Sequence, residues 1–146
     1  MEVIEGIEPL RAAIKQLAQP VGLVPTMGFL HAGHLAIVEG ARKETRGLVV
    51  SIFVNPEQFG PGEDIKIYPR DMDSDLAQLK EVGVDLVFAP SVSEVYPSGF
   101  DSYVQVGQIG ERLEGKYRPG HFRGVATIVC KLISLVRPAR VYFGEK

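Results

Sequence analysis

Two short apolar runs, separated by a glycine-containing turn and one amphipathic segment, constrain the fold more than any other feature of the sequence. Residues 21–25 read VGLVP and residues 48–55 read LVVSIFVN, and continuous apolar runs of this length are typical of strands buried on both faces. Between them, residues 34–47 repeat apolar side chains at helical spacing and end at a glycine. A strand, turn, helix and strand in this order predict a βαβ unit with a right-handed crossover.

The rest of the chain continues the same alternation. Further helices are predicted over residues 7–17, 73–82 and 121–136, and further strands over residues 84–90, 102–107 and 140–144. Asp71 or Asp73 is the expected N-cap of the second of these helices, and Gly83 follows its end. We therefore expect an α/β fold with an open, mostly parallel sheet.

Composition limits the classes of function. A chain of 146 residues suits one domain, and its formal net charge of −2 gives no basic field that would attract nucleic acid or an acidic membrane. No apolar run approaches the roughly 18 residues of a membrane span, and the acidic N-terminus lacks a signal-peptide pattern. The single cysteine, Cys130, lies in an apolar run that predicts a buried thiol. We expect a cytoplasmic domain with neither nucleic acid nor a membrane as its partner.

Two of the three histidines fall in one decapeptide, PTMGFLHAGH, at residues 25–34. If a helix begins near His31, then His31 and His34 share one face of its first turn, where backbone amides and the positive end of the helix dipole also point. Gly28 and Gly33 allow the close approach of a phosphate group. This arrangement favours a polyphosphate ligand and attack on its α-phosphate, where the imidazoles could contact the oxygens that gain charge.

Other interpretations of this segment stay open at this point. The two histidines could be polar residues on a loop, or they could form a zinc site together with His121, although the sequence has neither an HExxH nor a CxxC pattern. The segment matches neither the GxxxxGK[ST] phosphate loop nor the GxGxxG dinucleotide-binding motif.

A long segment follows the second strand of the βαβ unit. Residues 55–71 contain three prolines and two glycines, and connections of this length in a compact domain are often functional. The sequence ends at FGEK, directly after a predicted strand, and open α/β sheets bind ligands at the carboxyl ends of their strands. We therefore expect the chain to be a fragment that ends within its own site.

The HAGH sequence after a predicted strand resembles the HxGH signature of the nucleotidyltransferase superfamily, which shares its fold with class I aminoacyl-tRNA synthetases. Five blocks in order, PTMGFLHAGH, SIFVNPEQF, YPR, RPGHFRGVATIV and YFGEK, resemble the pantoate–β-alanine ligase (pantothenate synthetase) family over nearly the whole chain. The resemblance implies a Rossmann-like open parallel sheet with helices on both faces, of the HxGH nucleotidyltransferase type. It also implies that residues 1–146 are an N-terminal nucleotide-binding domain and that the family's C-terminal lid domain is absent from this chain.

The same resemblance implies an ATP-dependent ligase that joins (R)-pantoate to β-alanine. ATP would activate the pantoate carboxylate as pantoyl adenylate with release of pyrophosphate, and the amine of β-alanine would then displace AMP. ATP as a substrate, Mg²⁺ and a homodimer are further implications. Two alternatives stay open: a non-catalytic nucleotide-binding and dimerisation fragment, and a different HxGH nucleotidyltransferase, which would have no need of the NPEQF and RPGHF blocks.

Site residues are also carried over from the family. His34 is the expected proton donor, and His31 is its phosphate-contacting partner. The expected ATP-binding residues are Met27, Gly28, Phe29, Leu30, His31, Ala32, Gly33, His34, Gly144, Glu145 and Lys146. The residues expected to contact the other substrates are Pro25, Thr26, Gln58, Arg118, His121, Ile128, Val129 and Leu132. The alternatives are a solvated loop position for Gln58, a helix N-cap for His121 and plain core packing for the three apolar residues of the 121–136 helix.

Three aspartates follow the YPR block, at positions 71, 73 and 75. Carboxylates near a triphosphate commonly hold Mg²⁺, and the family has an acidic pair here that is linked to the metal. Ser74 replaces one member of that pair, so Asp75 is the candidate metal ligand. Asp71 and Asp73 are better explained as N-cap and first-turn residues of the following helix.

Overall fold

The computed structural model describes residues 1–60 and 62–145 and shows an α/β fold built on one parallel sheet. The strands of the described chain are β1 (Glu2–Ile4), β2 (Val21–Thr26), β3 (Gly47–Ile52), β4 (Leu86–Phe88) and β5 (Arg140–Val141). Its α-helices are α1 (Ile7–Ile14), α2 (Ala32–Glu44), α3 (Met72–Val82), α4 (Val92–Val95), α5 (Glu114–Tyr117) and α6 (His121–Val136). Short 3₁₀ turns cover Pro56–Gln58, Ile65–Ile67 and Gln108–Glu111. The predicted fold class is confirmed.

The order of the strands determines where a ligand can bind. The strands lie in the order β1-β4-β3-β2-β5, and every neighbouring pair is parallel. From β2 the chain moves outward through α2 to β3 and through α3 to β4, and it returns to the opposite side of β2 with β5. The direction of winding therefore reverses between β2 and β5, and open α/β sheets bind ligands at the carboxyl ends of the strands at such a point.

Two hydrophobic clusters cover the two faces of the sheet. Side chains alternate along a strand, so Leu23 of β2 joins one cluster and Val24 joins the other. Helices α1 and α6 cover the first face, with Leu132 buried there, and helices α2 and α3 cover the second, with Val38 buried there. Each such side chain contributes roughly 1.5–3 kcal/mol by leaving water. The two layers hold the loops at the carboxyl edge in fixed positions.

The longer helices begin and end close to where the sequence predicts. Helix α6 spans His121–Val136 as predicted. Helix α3 begins after Asp71, whose carboxylate accepts the amide of Ser74, and it ends before Gly83, which has the left-handed conformation. None of the helices in the described part of the chain is long and apolar enough to cross a membrane.

Several sequence-based predictions are wrong at short elements. Residues 102–107 form no strand, and the last strand of the described chain is Arg140–Val141 instead of 140–144. Helix α1 ends at Ile14 because the amides that follow it donate to carbonyl groups three residues earlier, which tightens the chain into a turn. Strand β1 has no counterpart in the sequence analysis, since three residues carry too little pattern. Cys130 is exposed, because α6 buries only one side of its apolar run.

Candidate active site at the carboxyl end of strand β2

The turn after β2 has a backbone conformation that few residues adopt. Gly28 and Phe29 both have positive φ angles, of 79° and 51°, in the left-handed region that disfavours side chains. A Cβ on Gly28 would lie 2.9 Å from Cγ2 of Ile52 and 3.0 Å from Oδ2 of Asp75, so space excludes a side chain there as well. The exposed ring of Phe29 is therefore held on a strained backbone at the edge of the site.

A buried aspartate holds this turn in place. Asp75 of α3 is 2% exposed, and its Oδ2 and Oδ1 atoms accept the amides of Phe29 at 2.8 Å and Leu30 at 2.7 Å. Hydrogen bonds to a carboxylate are stronger than those between neutral groups, and they offset the cost of burying the charge. Both oxygens of Asp75 therefore support the turn, and a metal contact by Asp75 stays a prediction.

Thr26, which the sequence analysis expects to contact substrate, also has a structural role. Its Oγ1 donates to the carbonyl of Ser51 at 2.7 Å and accepts the amide of Gly28 at 3.2 Å. The hydroxyl therefore joins the end of β2 to β3 and starts the turn. Pro25 precedes it in β2 and is half-buried. A substrate contact by Pro25 or Thr26 stays a prediction.

The two histidines cap α2 reciprocally. Helix α2 begins at Ala32, and His31 is its N-cap, which confirms the helix start predicted from the sequence. Nδ1 of His31 accepts the amide of Gly33 at 3.1 Å, and Nδ1 of His34 accepts the amide of His31 at 3.4 Å. An imidazole nitrogen that accepts a hydrogen bond carries no proton. Each neutral ring therefore has its N–H donor at Nε2.

The rings of His31 and His34 lie side by side at the start of α2. Their centroids are 4.1 Å apart, with an angle of 38° between the ring planes. A Cβ on Gly33 would lie 3.0 Å from Cε1 of His31, so a side chain at position 33 would require that ring to shift from its place over the first turn. The amides of the first turn and the positive end of the helix dipole favour an anion at the same place.

The other predicted residues of this turn differ in exposure. Phe29 and Ala32 are exposed, Met27 is half-buried, and Gly28 and Leu30 are buried. The two buried residues can therefore serve the site only through the shape of the backbone and through packing. The exposed ones lie at the surface that a nucleotide could reach.

The segment after β5 approaches the same helix. Gly144 and Glu145 are exposed, and a Cβ on Gly144 would lie 3.3 Å from Cδ1 of Ile37, about one turn past His34 on α2. The fold thus brings together two predicted ATP-binding segments that lie far apart in the sequence. Lys146, also predicted to bind ATP, lies outside the described residues.

Gln58 reaches the site from the loop after β3. The 3₁₀ turn Pro56–Gln58 packs against α6, where Gly124 leaves room for it. Nε2 of Gln58 donates to Sδ of Met27 at 3.2 Å, and its Oε1 accepts from Nδ2 of Asn55 at 3.1 Å. Gln58 is half-buried and bonded to the turn after β2, so its interpretation as a solvated loop residue is wrong.

Arg118 and His121 fasten the same loop to the start of α6. Nδ1 of His121 lies 2.8 Å from the carbonyl oxygen of Gln58, so this nitrogen donates and carries the proton of the neutral ring. Arg118 forms an ion pair with Glu63, with 2.7 Å between Nε and Oε1. The hydrogen bond from Arg118, followed by that from the Gly60 amide, lowers the pKa of Glu63.

His121 has neither of the alternative roles that the sequence leaves open. It is the first residue of α6, and the N-cap is Gly120. It does not join His31 and His34 in a zinc site, since among the described residues no group of three or more His, Cys, Asp or Glu side chains is placed to hold a metal ion. The N-cap and zinc interpretations are therefore wrong.

Three apolar residues of α6 are expected to contact substrate. Ile128 and Leu132 are buried in the cluster that covers the first face of the sheet, and Val129 packs against it. Core packing, the alternative weighed from the sequence, is confirmed for these residues. Their contact with a substrate stays a prediction.

Asn55 is a site residue that the sequence analysis does not single out. It is 1% exposed. Its Nδ2 also donates to the carbonyl of Gly124 at 3.1 Å, and its Oδ1 accepts from the hydroxyl of Tyr96 at 2.8 Å. The signal in the sequence is an asparagine between a buried strand and a proline, where its side chain can cap the turn that follows.

A cavity of about 310 Å³ lies against the turn after β2. Met27, Gly28 and Phe29 line one wall, and residues that follow β3 and β4 line much of the rest. Its lining contains neither of the two histidines nor Gln58. The two histidines and Gln58 instead place the candidate site at the carboxyl end of β2, next to the point where the direction of winding reverses.

Comparisons with known proteins identify relatives along the whole chain. A family model described as Pantoate-beta-alanine ligase matches residues 2–146. The pantothenate synthetase of Herpetosiphon aurantiacus is 57% identical over 146 residues, which cover 100% of this chain and 52% of the relative. The pantothenate synthetase of Dehalococcoides mccartyi is 58% identical over 132 residues, which cover 90% of this chain and 49% of the relative.

Solved structures of relatives have the same fold. The pantothenate synthetase from Thermus thermophilus superposes with a TM-score of 0.95 at 57% identity, over 100% of this chain and 52% of the relative. The pantoate-beta-alanine ligase from Francisella tularensis, complexed with beta-gamma ATP and beta-alanine, superposes with a TM-score of 0.91 at 37% identity, over 97% of this chain and 55% of the relative. The chain spans about half the length of these relatives. Because the family model covers nearly every residue and the folds superpose, the chain belongs to the pantoate–β-alanine ligase family.

Proposed function

We propose that this chain carries the adenylation site of an ATP-dependent ligase that joins (R)-pantoate to β-alanine. Pantoate and ATP form pantoyl adenylate and pyrophosphate, and β-alanine then displaces AMP to give pantothenate. The observation that carries the proposal is the reciprocal capping of His31 and His34, which sets two Nε2–H donors beside the amides at the start of α2. The Francisella tularensis relative, complexed with beta-gamma ATP and beta-alanine, supports the choice of nucleotide and amine.

In the first step, a carboxylate oxygen of pantoate attacks the α-phosphorus of ATP. A P–O bond forms to the carboxylate, and the bond to the bridging oxygen breaks as pyrophosphate leaves. Negative charge grows on the phosphate oxygens, and the imidazole donors of His31 and His34 stabilise it together with the positive end of the α2 dipole. His34 is the proposed proton donor, although stabilisation of charge is sufficient for this role.

Gln58 holds pantoate beside the histidines. Its amide offers donors and an acceptor, which suit a substrate with hydroxyl groups and a carboxylate, and its bond to Met27 joins it to the turn after β2. Arg118 and His121 support the Gln58 loop from α6. On the ATP side, Gly144 lies beside α2, Glu145 follows it, and Lys146 supplies a point charge that neutralises phosphate.

Mg²⁺ accompanies ATP in this proposal as the counter-ion of the triphosphate. Among the described residues, no three-ligand group is placed to hold it, and both oxygens of Asp75 accept backbone amides.

A cytoplasmic location and a homodimer complete the proposal. A chain with a single cysteine suits a reducing compartment. Light scattering after size-exclusion chromatography tests the dimer. A mass near twice 16.0 kDa supports it, and a mass near 16.0 kDa contradicts it.

Calorimetric titrations test the substrate assignment. We expect the chain to bind (R)-pantoate and ATP, and to bind pantoate more weakly after Gln58→Ala while ATP binding changes less. Indifference to pantoate, together with binding of phosphopantetheine or phosphocholine, would favour a different HxGH nucleotidyltransferase instead.

Release of pyrophosphate separates the ligase from a second candidate, a non-catalytic nucleotide-binding fragment. With ATP, Mg²⁺ and pantoate, turnover of about 1–10³ s⁻¹ identifies a working enzyme. Binding of both ligands without release of pyrophosphate would identify the fragment.

A further inference from the structure

The orientation of the Gln58 amide decides which part of a ligand it can hold. A carboxamide has one donor end and one acceptor end, and only the donor end can bind a carboxylate. Oε1 of Gln58 accepts from Nδ2 of Asn55 at 3.1 Å, so its Nε2 points away from Asn55 and towards Met27. The orientation of Gln58 therefore depends on that of Asn55.

Three further partners fix the amide of Asn55. Its Nδ2 donates to the carbonyl of Gly124 at 3.1 Å. Its Oδ1 accepts from the amide of Glu57 at 3.4 Å and from the hydroxyl of Tyr96 at 2.8 Å. A backbone carbonyl cannot donate and a backbone amide cannot accept, so these groups allow one orientation of Asn55. Of the two bonds to Oδ1, that from Tyr96 is the shorter.

The ring of Tyr96 holds its hydroxyl in place. Phe53 and Phe100 lie against this ring at centroid distances of 6.1 and 4.9 Å, and Nζ of Lys131 lies 5.3 Å from its centroid. Burial raises the pKa of Tyr96, with smaller contributions from nearby groups that are negative when ionised, so the hydroxyl keeps its proton and donates. A phenylalanine at position 96 would keep the ring packing and lose the hydrogen bond, so the two contributions can be measured separately.

We propose that Tyr96 is a positioning residue, which acts through Asn55 to orient the Gln58 amide with its N–H donors towards the carboxylate or hydroxyl oxygens of the substrate. This inference rests on the proposed function, since it takes pantoate as the ligand of Gln58. Nε2 carries two hydrogens, and the sulfur of Met27 takes one of them, which leaves the second for the ligand. The reversed amide would present Oε1 to a carboxylate and repel it.

A pair of tyrosine variants tests the inference. Tyr96→Phe removes the hydroxyl and keeps the ring, and Tyr103→Phe is the matched control, since its ring lies in the same aromatic row, 5.2 Å from that of Phe100. Calorimetry on the whole chain measures the Kd for (R)-pantoate and for ATP. We expect Tyr96→Phe to weaken pantoate binding about fivefold, which corresponds to the loss of about one hydrogen bond to pantoate. ATP binding should weaken by less than about twofold. Tyr103→Phe should change neither.

The side-chain amide ¹H–¹⁵N spectrum gives a readout that does not need a ligand. Gln58 bonds Asn55 and Met27, and Tyr96 bonds Asn55, so the amide signals of Gln58 should shift or double in Tyr96→Phe if the orientation passes through Asn55. Unchanged Gln58 signals, in a variant that unfolds at the wild-type temperature, would overturn the inference. Equal losses of pantoate and ATP affinity would indicate a general structural effect and would overturn it too.

Gln58→Ala separates this inference from the proposed function. If Gln58→Ala weakens pantoate binding and Tyr96→Phe does not, the role of Tyr96 is overturned and the substrate assignment stands. If Gln58→Ala has no effect, or if the chain binds no pantoate, the substrate assignment fails. The Gln58 amide signals then decide the role of Tyr96 without reference to pantoate.

Discussion

The imidazole rings of His31 and His34 cap the same helix end, each through its Nδ1 atom, with their centroids 4.1 Å apart. The backbone amides that fix the rings are those of His31 and Gly33, so the geometry of the pair is set by the start of α2 and needs no ligand. A preformed pair of donors loses little entropy when a phosphate binds. Capping and the proposed phosphate contact are two roles of the same residues, and substitutions can separate them.

Substitution of His31 by asparagine should keep the cap and remove the phosphate contact. Asparagine is among the best N-cap residues, so His31→Asn should keep the free energy of unfolding within about 0.5 kcal/mol, whereas His31→Ala should lower it by about 1 kcal/mol. Both variants lose the imidazole donor and should bind ATP about tenfold more weakly. Urea denaturation and calorimetry measure the two effects. Unchanged ATP binding in both variants would exclude His31 as a phosphate contact.

Alanine at position 33, in the first turn of α2, should displace the ring of His31. The new Cβ would lie 3.0 Å from Cε1 and 3.1 Å from Nδ1 of His31, so the ring must move and Gly33→Ala should weaken ATP binding. Gly40→Ala is the matched control in α2, since its Cβ would meet nothing within 4 Å, and it should raise the free energy of unfolding by about 1 kcal/mol. Equal stabilisation by both alanines, with ATP binding intact, would show that the ring does not depend on Gly33.

Asparagine in place of Asp75 should destabilise the turn after β2. An amide has one acceptor oxygen, so its NH₂ group would face the backbone N–H of Phe29 or Leu30 in a buried place. Such a mismatch costs about 1–3 kcal/mol, and urea denaturation should show a loss of that size. Asp73→Asn, at an exposed position of the same helical turn, should cost less than about 1 kcal/mol. A gain in stability at position 75 would be incompatible with the bracing role.

The ion pair between Glu63 and Arg118 should make stability depend on pH. Arg118 holds the pKa of Glu63 below its ordinary value of 4.5 in the folded chain. The contribution of the pair is therefore fully present above pH 4.5 and is lost as the pH falls through the lowered folded value. The melting temperature of the wild type should be higher than that of Glu63→Gln at about pH 7, and the two melting temperatures should coincide at about pH 2.

Thermal unfolding over this pH range, at low and high salt, checks the expectation for Glu63. Salt should reduce the difference at neutral pH, since both side chains of the pair are partly exposed. If the difference in melting temperature between the wild type and Glu63→Gln grew as the pH fell, it would contradict a lowered pKa for Glu63.

The large elements of the fold could be predicted because their patterns extend over many residues. The βαβ unit and helix α6 each repeat one period several times, and Asp71 and Gly83 mark the ends of α3. Strand β1 could not be found in this way, because its three residues are defined by pairing with Leu86–Phe88, which is remote in the sequence. Strand β3 ends at Ile52 instead of residue 55, and Asn55 caps the turn that follows.

The position of the candidate site along the backbone could be predicted from the sequence. The hydrogen-bond partners of its side chains could be predicted only in part. The HAGH sequence marks the helix start because capping is local. The spacing of Asp75 in α3 carries no sign that its carboxylate reaches Phe29, 46 residues away. Tyr96 bonds Asn55 across 41 residues and leaves no local signal either. The sequence contains the residue types, and the fold decides their partners.

A crystal structure of the chain with a non-hydrolysable analogue of pantoyl adenylate would locate the α-phosphorus relative to the two imidazoles. We expect a phosphate, or the group that mimics it, at about 3 Å from Nε2 of His31 and of His34, with the pantoyl group against Gln58. A phosphate bound instead in the cavity lined by Met27 and Phe29, or two imidazole rings turned away from it, would refute the proposed adenylation site.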